Sequence, residues 1–479
     1  MSRAMSRTFS WRIVIVAVAL LTLGGCATFS KDGGFDPVAQ TVRERIGKDV
    51  APVRNEADQK LVNDRVAELL RQSLSADTAV QIALLNNRGL QASFQELGIA
   101  EADLVQAGRL SNPRFSMLRA RRDDEFNIEQ SFTLNLFSLI TLPAARNVET
   151  RRFAQTQRQV TIEVLRLASQ ARKAYFTAIA AEQTSQYMQQ VATAAEASAE
   201  LAHRMAQAGN WSNLNQAREQ TFYAEATLQV ARARQAAVDA REELIRLLGL
   251  AGTQARFTLP QRLPDLPKRV EESGDFEAQA MRQRLDLQAM RLQTESLAKS
   301  LGLTKATRFI NVLEFGPARV LEGQRSEPYR NGYEISFELP LFDWGSARVA
   351  KAEAIYMQAI HRASEAAVNA QSEVRQRYHA YRTAYDVASH YREEIVPLRQ
   401  RISEENRLRY NGMLISVFEL LADARSQIAG VNGYIESLRD FWLAQADLDM
   451  ALTGAPSGSS SNSMQSQSIM MPAGGDGAH

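Results

Sequence analysis

The chain has 479 residues, of which 23% are charged, and a net charge of +2 at pH 7. This length allows a large core or several domains, and the near-neutral charge provides no strong field for nucleic acid or for an acidic partner. Aromatic residues make up only 7%, while Ala, Gln, Arg, Glu and Leu are abundant. That composition is typical of long helices packed on small side chains.

A secretory signal and a lipidation site are predicted at the start of the chain. Basic residues precede the apolar run Ile13–Leu23, which is too short to span a bilayer. Residues 1–25 therefore have the layout of a signal peptide. The next residue, Cys26, is the only cysteine, and Leu23-Gly24-Gly25-Cys26 resembles a bacterial lipobox, in which the cysteine carries lipid. An ordinary signal peptide followed by a chance cysteine is the alternative. Ala27, by resemblance to enterobacterial lipoproteins, indicates delivery to the outer membrane.

Residues 26–72 are mixed and polar, and we predict an extended leader there. After residue 26 no uninterrupted apolar run of about 18 residues occurs, so the sequence contains no further candidate for a transmembrane helix. If the protein crosses a membrane, it must do so as a β-barrel.

Residues 73–249 are predicted to form a first repeat. A helix begins at the N-cap Ser75 and continues to about Gly108. Strands are predicted at 114–120 and 127–137, on either side of a charged turn. A helix over 144–208, roughly 100 Å long, then precedes a break at Gly209. The last helix of the repeat covers 213–248 and ends at Gly249, a suitable C′ residue. Helices of this length indicate coiled-coil packing.

The same order is predicted again in residues 273–453, after a proline-containing linker at 250–272. Its elements are a helix at 275–301, strands at 308–315 and 332–342 separated by a loop at 316–332, and helices at 346–410 and 417–452. A break at Gly412 separates the long helix from the last helix. Pro397 lies inside the long helix and should kink or divide it. Residues 454–479 are rich in Ser, Gly and Met and are predicted to be disordered.

The second strand of each repeat has nearly the same sequence, S-F-T-L-N-L-F from Ser131 and S-F-E-L-P-L-F from Ser336. Both strands alternate apolar and polar residues over about ten positions, the length that crosses a bilayer when tilted. A half-buried strand in a soluble sheet alternates in the same way. In the barrel interpretation the residues that face lipid are Phe132, Leu134, Leu136, Phe337, Leu339 and Leu341. Those that face a wet interior are Glu129, Glu334 and Glu338.

Four strands are too few to close a barrel, because about eight are the practical minimum. An open sheet edge in a bilayer would leave backbone groups unpaired, at a cost of several kcal/mol each. A membrane location therefore requires a ring of protomers. Two protomers would supply eight strands and a filled interior, and three would supply twelve strands and a passage.

Nearly all of the chain beyond the predicted signal resembles the TolC-like outer-membrane efflux family. The opening Leu74-Ser75 and Asn86-Asn87 resemble the first-helix motif of the family, although Arg88 replaces the usual proline. The stretches Gly98–Phe115, Leu339–Gly345 and Arg409–Gly412 followed by Phe418–Leu421 resemble three further passages. The sequence departs from the family at Gly209-Asn210-Trp211, which replaces the usual tip, and at Ala422, which is one residue extra before Asp423.

The resemblance implies a mainly α-helical fold with a small β part, built from duplicated strand–strand–long-helix–helix units. It implies a homotrimer whose 12-stranded barrel lies in outer-membrane lipid and is continued by a long periplasmic α-helical barrel. Substrate would arrive from an inner-membrane pump through a periplasmic adaptor. The helical hairpin tips at Gly209 and Gly412 would meet the adaptor and narrow the pore. Glu419 is a candidate charge near this constriction, with a solvated helix-face carboxylate as the alternative.

Other functions have less support from the sequence. None of the common hydrolase, metalloprotease, nucleotide or dinucleotide motifs occurs, so we expect no enzyme, no cofactor and no metal site. A lipid-anchored coiled-coil scaffold and the outer-membrane component of a type I protein secretion system are the alternatives. The sequence leaves the substrate open between drugs, metal ions and proteins. Thioethers suit soft metal ions such as Cu(I), and four residues of the tail hint at such a substrate: Met464, Met470, Met471 and His479.

Overall fold

The computed structural model describes residues 28–270, 275–310 and 312–454. In this part the chain is mainly helical and contains a four-stranded sheet. The predicted signal peptide, Cys26 and residues 455–479 of the predicted tail lie outside the described residues. No helix in the described part is both long and apolar enough to cross a membrane.

The sequence helix, helix, strand, strand, long helix, helix occurs twice along the chain. Its first occurrence follows two short helices, α1 (Asp36–Ile46) and α2 (Glu56–Leu69), and consists of α3 (Ala76–Asn86), α4 (Arg88–Ala107), β1 (Arg114–Arg122), β2 (Glu125–Asn135), α5 (Leu136–Gln207) and α6 (Asn213–Leu248). The second consists of α7 (Phe276–Gln283), α8 (Leu285–Ala306), β3 (Leu313–Gly323), β4 (Arg330–Phe337), α9 (Ser346–His390), a π-helical turn (Tyr391–Ile395), α10 (Val396–Asn411) and α11 (Val417–Thr453).

The described part of the predicted leader is not extended, since it contains α1 and α2. In each of these helices two valines four residues apart are buried, Val38 with Val42 and Val62 with Val66. This spacing places each pair on one helix face, which packs into the main core. The prediction of an extended leader is wrong. It relied on the polar composition of the segment, in which two buried valines per helix are too few to stand out.

The helix predicted from Ser75 to Gly108 is divided at Asn87. Ser75 caps α3 as predicted, with its Oγ accepting from the Thr78 amide at 3.1 Å. Asn87 has extended backbone angles and caps α4 through the Leu90 amide at 3.0 Å. Its side-chain amide also donates to the carbonyl of Leu247 at 3.0 Å. The break therefore satisfies carbonyls at the end of α6 that would otherwise lack partners.

The four strands form an antiparallel sheet in the order β1-β2-β3-β4. Residues 316–323, predicted as loop, belong to β3. Gly316 and Pro317 indicated a loop, but in β3 Gly316 lies so close to the backbone of Phe132 that a Cβ would be 1.8 Å from its carbonyl oxygen. A glycine was required here by close packing rather than by a turn.

Both of the similar strands end earlier than predicted, and β4 is also shorter. β2 ends at Asn135, because its side chain accepts from the Ser138 amide at 2.8 Å and caps α5. The helix therefore begins at Leu136, eight residues earlier than predicted, and contains Pro143. β4 ends at Phe337, three residues before Pro340, which cannot donate to a strand ladder.

The long helices differ between the two halves. α5 is continuous over 72 residues, whereas the second long helix divides at Tyr391–Ile395, just before Pro397. A proline removes one helical hydrogen bond and its ring clashes with the preceding turn, and a π turn accommodates this locally. Pro397 was predicted to kink or divide the helix; a π turn interrupts the α-helix just before it, but the chain remains helical across this turn.

Candidate functional sites in the sheet and at the helical tips

The sheet has one apolar face and one polar face. Cross-strand pairs fix this arrangement, because directly opposite residues share a face: Phe115 pairs with Phe132, and Leu134 pairs with Phe315. We define the apolar face by Phe115, Met117, Phe132, Leu134, Phe315, Tyr333, Ile335 and Phe337. The polar face is defined by Ser116, Glu125, Glu129, Ser131, Thr133, Glu314, Glu322, Glu334 and Ser336. The predicted alternation is confirmed over the strands.

Side chains of the apolar face are exposed in the single chain. Phe115 is 63% exposed, Ile335 52% and Phe337 59%. A contiguous exposed patch with several aromatic side chains marks a surface that contacts another protein or a membrane. The predicted lipid-facing residues Phe132, Leu134 and Phe337 all lie here, and the predicted pore-facing residues Glu129 and Glu334 lie on the opposite face.

Four of the predicted sheet residues lie outside the strands. Leu136 is the first residue of α5. Glu338, Leu339 and Leu341 follow the end of β4, where the Leu341 amide donates to the Leu339 carbonyl at 2.8 Å in a tight turn. Their assignment as barrel-strand residues is wrong, because helix capping and proline end the strands earlier than the alternation does. Leu339 and Leu341 are nevertheless well exposed.

The sheet is open at both edges in the single chain. β1 and β4 are the outer strands, and every residue of both is exposed. Each therefore presents a row of backbone donors and acceptors on its outer side to another strand. Since neighbouring strands in the sheet are antiparallel, β4 runs opposite to β1.

The tip between α5 and α6 reverses the chain at Gly209, as predicted. Gly209 has φ +74°, and the Asn210 amide donates to the Met205 carbonyl at 2.9 Å. These are features of a Schellman ending. Ser212 then caps α6 by accepting from the Asn215 amide at 3.2 Å. The tip is thus a five-residue connection with both helix ends satisfied.

The tip between α10 and α11 has the same geometry, but the reversing residue is Met413. Gly412 has an ordinary φ of −81°, whereas Met413 has φ +60°. The Leu414 amide donates to the Arg409 carbonyl at 2.8 Å, and Ser416 caps α11. In each tip the left-handed residue stands three positions before the capping serine. The sequence predicted the chain reversal at Gly412, but it occurs one residue later, at Met413.

Glu419 lies in the first turn of α11, close to this tip. Its amide donates to the Oγ of Ser416 at 3.4 Å, and the residue is exposed. A carboxylate there interacts favourably with the positive end of the helix dipole. This is the environment of a solvated helix-face carboxylate, the alternative considered for this residue.

An ion pair between a buried carboxylate and a partly exposed arginine joins the two helical hairpins near their tips. Glu219 in α6 is only 2% exposed and accepts from the Ser198 hydroxyl at 3.0 Å and from the Arg425 guanidinium at 3.2 Å. Arg425 belongs to α11 and also stacks over Phe222, 4.2 Å from the ring centre. The sequence offered no signal for this contact, because a glutamate and an arginine on helices usually face solvent.

Comparisons with known proteins show which fold this is. No protein-family model and no curated protein sequence matches the chain. Among solved structures it is similar to CusC, described for its transmembrane channel formation, at 18% identity, covering 79% of this chain and 92% of that one, TM-score 0.67. It is also similar to a membrane protein from Pseudomonas aeruginosa, at 17% identity, covering 79% of this chain and 93% of that one, with a TM-score of 0.68. A third similar structure is the CmeC outer membrane channel of Campylobacter jejuni, at 15% identity, covering 79% of this chain and 85% of that one, with a TM-score of 0.66.

The chain has the fold of outer-membrane channels. The resemblance identified from the sequence motifs is therefore confirmed at the level of the fold. In the described part of the chain, the His, Asp and Glu side chains form no group of three or more that could hold a metal ion. The candidate functional features are therefore an amphipathic sheet with open edges and two helical hairpins joined by the Glu219–Arg425 ion pair.

Proposed function

We propose that this protein is the outer-membrane channel of a tripartite efflux system. In this role it passes small solutes from a periplasmic adaptor and an inner-membrane pump to the exterior. The observation that carries the proposal is the sheet, with an exposed apolar face, a carboxylate-bearing face and two open edges. Such a sheet suits a bilayer only when other chains close it.

Closure by three copies accounts for both edges. β1 of one copy would pair with β4 of the next in the antiparallel sense that continues the sheet, and three chains would supply twelve strands. The apolar face would then contact outer-membrane lipid. The polar face, with Glu129 and Glu334, would line a wet interior. Eight strands from two copies would leave an interior filled by side chains, which is why we propose a homotrimer.

The helices support a conduit that continues on one side of the membrane. β2 and β4 run in the same direction, and each leads into a long helix at the same end of the sheet. At 1.5 Å per residue, the 72 residues of α5 extend about 110 Å. We propose that these helices lie in the periplasm and that a signal peptide and a lipid on Cys26 deliver and anchor the chain at the outer membrane.

The helical tips are the proposed gate and adaptor contact. Opening would separate the hairpin of α10 and α11 from that of α5 and α6, as packed elements move in hinge and shear transitions. The Glu219–Arg425 pair ties these hairpins, so it should hold the narrow state. Gly209, Met413 and the neighbouring Gly412 and Glu419 would face the adaptor.

A matched pair of variants tests the membrane orientation. Leu134→Arg puts a charge on the apolar face, which costs about 2–4 kcal/mol near the middle of a bilayer, and Ser131→Arg puts the same charge on the polar face. We expect Leu134→Arg to abolish the SDS-resistant oligomer and the planar-bilayer conductance of the full chain, whereas Ser131→Arg retains both. Equal assembly and conductance of the two variants would contradict the proposal.

A second pair tests the gate. Glu219→Gln weakens the tie between the hairpins, and Glu225→Gln removes an exposed carboxylate from the same helix. We expect single-channel recordings to show a larger open fraction for Glu219→Gln than for Glu225→Gln, which should match the wild-type chain. If Glu219→Gln opens no more often than wild type, the pair does not hold the gate.

A further inference from the structure

Three arginines interrupt the apolar face at the end of the sheet that carries both hairpin turns. Arg121 pairs with Phe126 and Arg119 with Ile128 across β1 and β2, and Gln130 pairs with Arg319 across β2 and β3. Counting by twos along each strand places all three arginines on the same face as Phe115, Phe132 and Phe315. All three are exposed.

Neighbouring side chains support these arginines on the face. The guanidiniums of Arg119 and Arg121 lie 6.0 and 5.4 Å from the ring centre of Phe126. Arg319 lies 4.9 Å from the ring centre of Tyr329 and donates through Nε to Gln130 Oε1 at 2.7 Å. Arg121 Nε also donates to the Asp123 carbonyl at 2.7 Å. Together, these contacts leave most of the five guanidinium donors of each arginine available to a ligand.

The polar face carries charges of both signs, including Arg122 and Arg330, whereas the strands of the apolar face carry only positive ones. The carboxylates in the described strands all belong to the polar face: Glu125, Glu129, Glu314, Glu322 and Glu334. On the apolar face the charged side chains of the strands are the three arginines alone. The nearest acidic neighbour is in the turn, where Asp124 lies 4.0 Å from Arg121 and is itself fully exposed. The turn end of the apolar face is therefore a positive surface beside an apolar band.

We propose that Arg119, Arg121 and Arg319 bind the phosphate groups of lipids around the turn end of the sheet. This inference rests on the proposed membrane location. An arginine on a lipid-facing strand costs about 2–4 kcal/mol at mid-bilayer but about 0–1 near the interface. Guanidinium forks match phosphate oxygens in two-point contacts. β1 and β3 are two strand spacings apart, about 10 Å, which suits a lipid headgroup with two phosphates better than a single free anion.

A binding experiment with the full chain in neutral detergent tests this site. The probes are lipid A, which carries two phosphates, and phosphatidylcholine, which has no net charge. The variant is Arg119→Gln, Arg121→Gln and Arg319→Gln combined. The control, Arg122→Gln with Arg330→Gln, removes cations from the polar face at the same end. We expect the variant to lose about a hundredfold in affinity for lipid A and the control about twofold or less.

Several results would overturn the inference. These are equal losses in variant and control, equal binding of lipid A and phosphatidylcholine by the wild-type chain, and full competition by pyrophosphate at the same concentration, which would indicate a site for free anions. Planar-bilayer conductance separates this inference from the proposed function. A conducting chain whose lipid A affinity is unchanged by the variant contradicts only the lipid site, whereas a wild-type chain that never conducts contradicts the channel.

Discussion

The first and second halves of the chain contain the same order of elements but differ in how firmly their hairpins are packed. α5 is one continuous helix, and the part of it that leads to the tip buries Val191, Ala195 and Ala199. In the second half a π turn interrupts the long helix, and none of the residues of α10, all of them described, is buried. The first hairpin is therefore the rigid one.

If the helical tips form the proposed gate, this difference assigns the movement to the second hairpin. A π turn inserts one extra residue and often marks a functional site, and elements with few buried contacts open at low free energy. The Glu219–Arg425 pair crosses from the rigid hairpin to the looser one. In the proposed gate, the second hairpin would therefore move against the first.

The halves also differ at the joint where the first two helices of each meet the last. In the first half the amides of Asn86 and Asn87 bond to the end of α6. In the second half Arg284 takes this place, 2% exposed, with ion pairs to Asp286 at 2.7 Å and Glu373 at 2.9 Å and a bond to the Ala451 carbonyl at 3.0 Å. Desolvation opposes these contacts, yet the two carboxylates raise the pKa of Arg284 overall.

The largest predicted effect comes from breaking this joint. Arg284→Ala should lower the free energy of unfolding by about 3–5 kcal/mol, since it removes a buried cation that is paired with two largely buried carboxylates. Asn87→Ala in the first half should cost only about 1–2 kcal/mol. Denaturant unfolding measures both. Arg282→Ala, at an exposed side chain, is the control, and an Arg284→Ala loss no greater than that of Asn87→Ala would make the two joints equivalent.

Alkaline pH should loosen the first half through Tyr175. Its hydroxyl donates to the Leu74 carbonyl at 2.9 Å, and burial raises its pKa to about 12. The unfolded tyrosine loses its proton near pH 10, so stability present below pH 10 is lost as the pH rises towards 12. The loss should reach about 2–3 kcal/mol. Thermal melts from pH 9 to 12 measure it. Tyr175→Phe should flatten this pH dependence, and an unchanged slope would exclude Tyr175 as its source.

The π turn itself can be probed from α11. A Cβ on Gly433 would lie 2.7–2.9 Å from the ring and hydroxyl of Tyr391, whereas one on Gly430 would have 3.5 Å of clearance. Gly433→Ala should therefore destabilise the hairpin by about 1–3 kcal/mol through overpacking. Gly430→Ala should stabilise it by about 0.5–1 kcal/mol through helix propensity. Thermal unfolding measures whether each variant is stabilised or destabilised. Stabilisation by both would show that Tyr391 and the π turn shift at little cost to accommodate the new Cβ.

Sequence reasoning succeeded where a short period or a local cap decides the structure. Alternation with a period of two placed Phe132 and Glu129 on opposite faces, and Gly249 ends α6 in a left-handed conformation as predicted. It failed where the decisive partner is distant or a side chain overrides the pattern. Asn135 caps a helix inside an apparent strand, and Glu219 meets Arg425 across 206 residues. No local rule connects such positions.

The smallest predicted effects compare the two tips directly. Met413 holds the same left-handed position as Gly209, yet a residue with a Cβ costs about 1 kcal/mol there. Met413→Gly should thus stabilise the second hairpin by about 1 kcal/mol. Gly209→Ala should destabilise the first by a similar amount. Its cost comes from the backbone conformation alone, because no atom lies within 4 Å of the new Cβ. Gly412→Ala is the control, because its φ is ordinary. Hydrogen exchange at the tip amides measures each change. If Met413→Gly also raises the open fraction of channels, strain at this tip favours the closed gate, and the looser hairpin is held by its own turn as well as by Arg425.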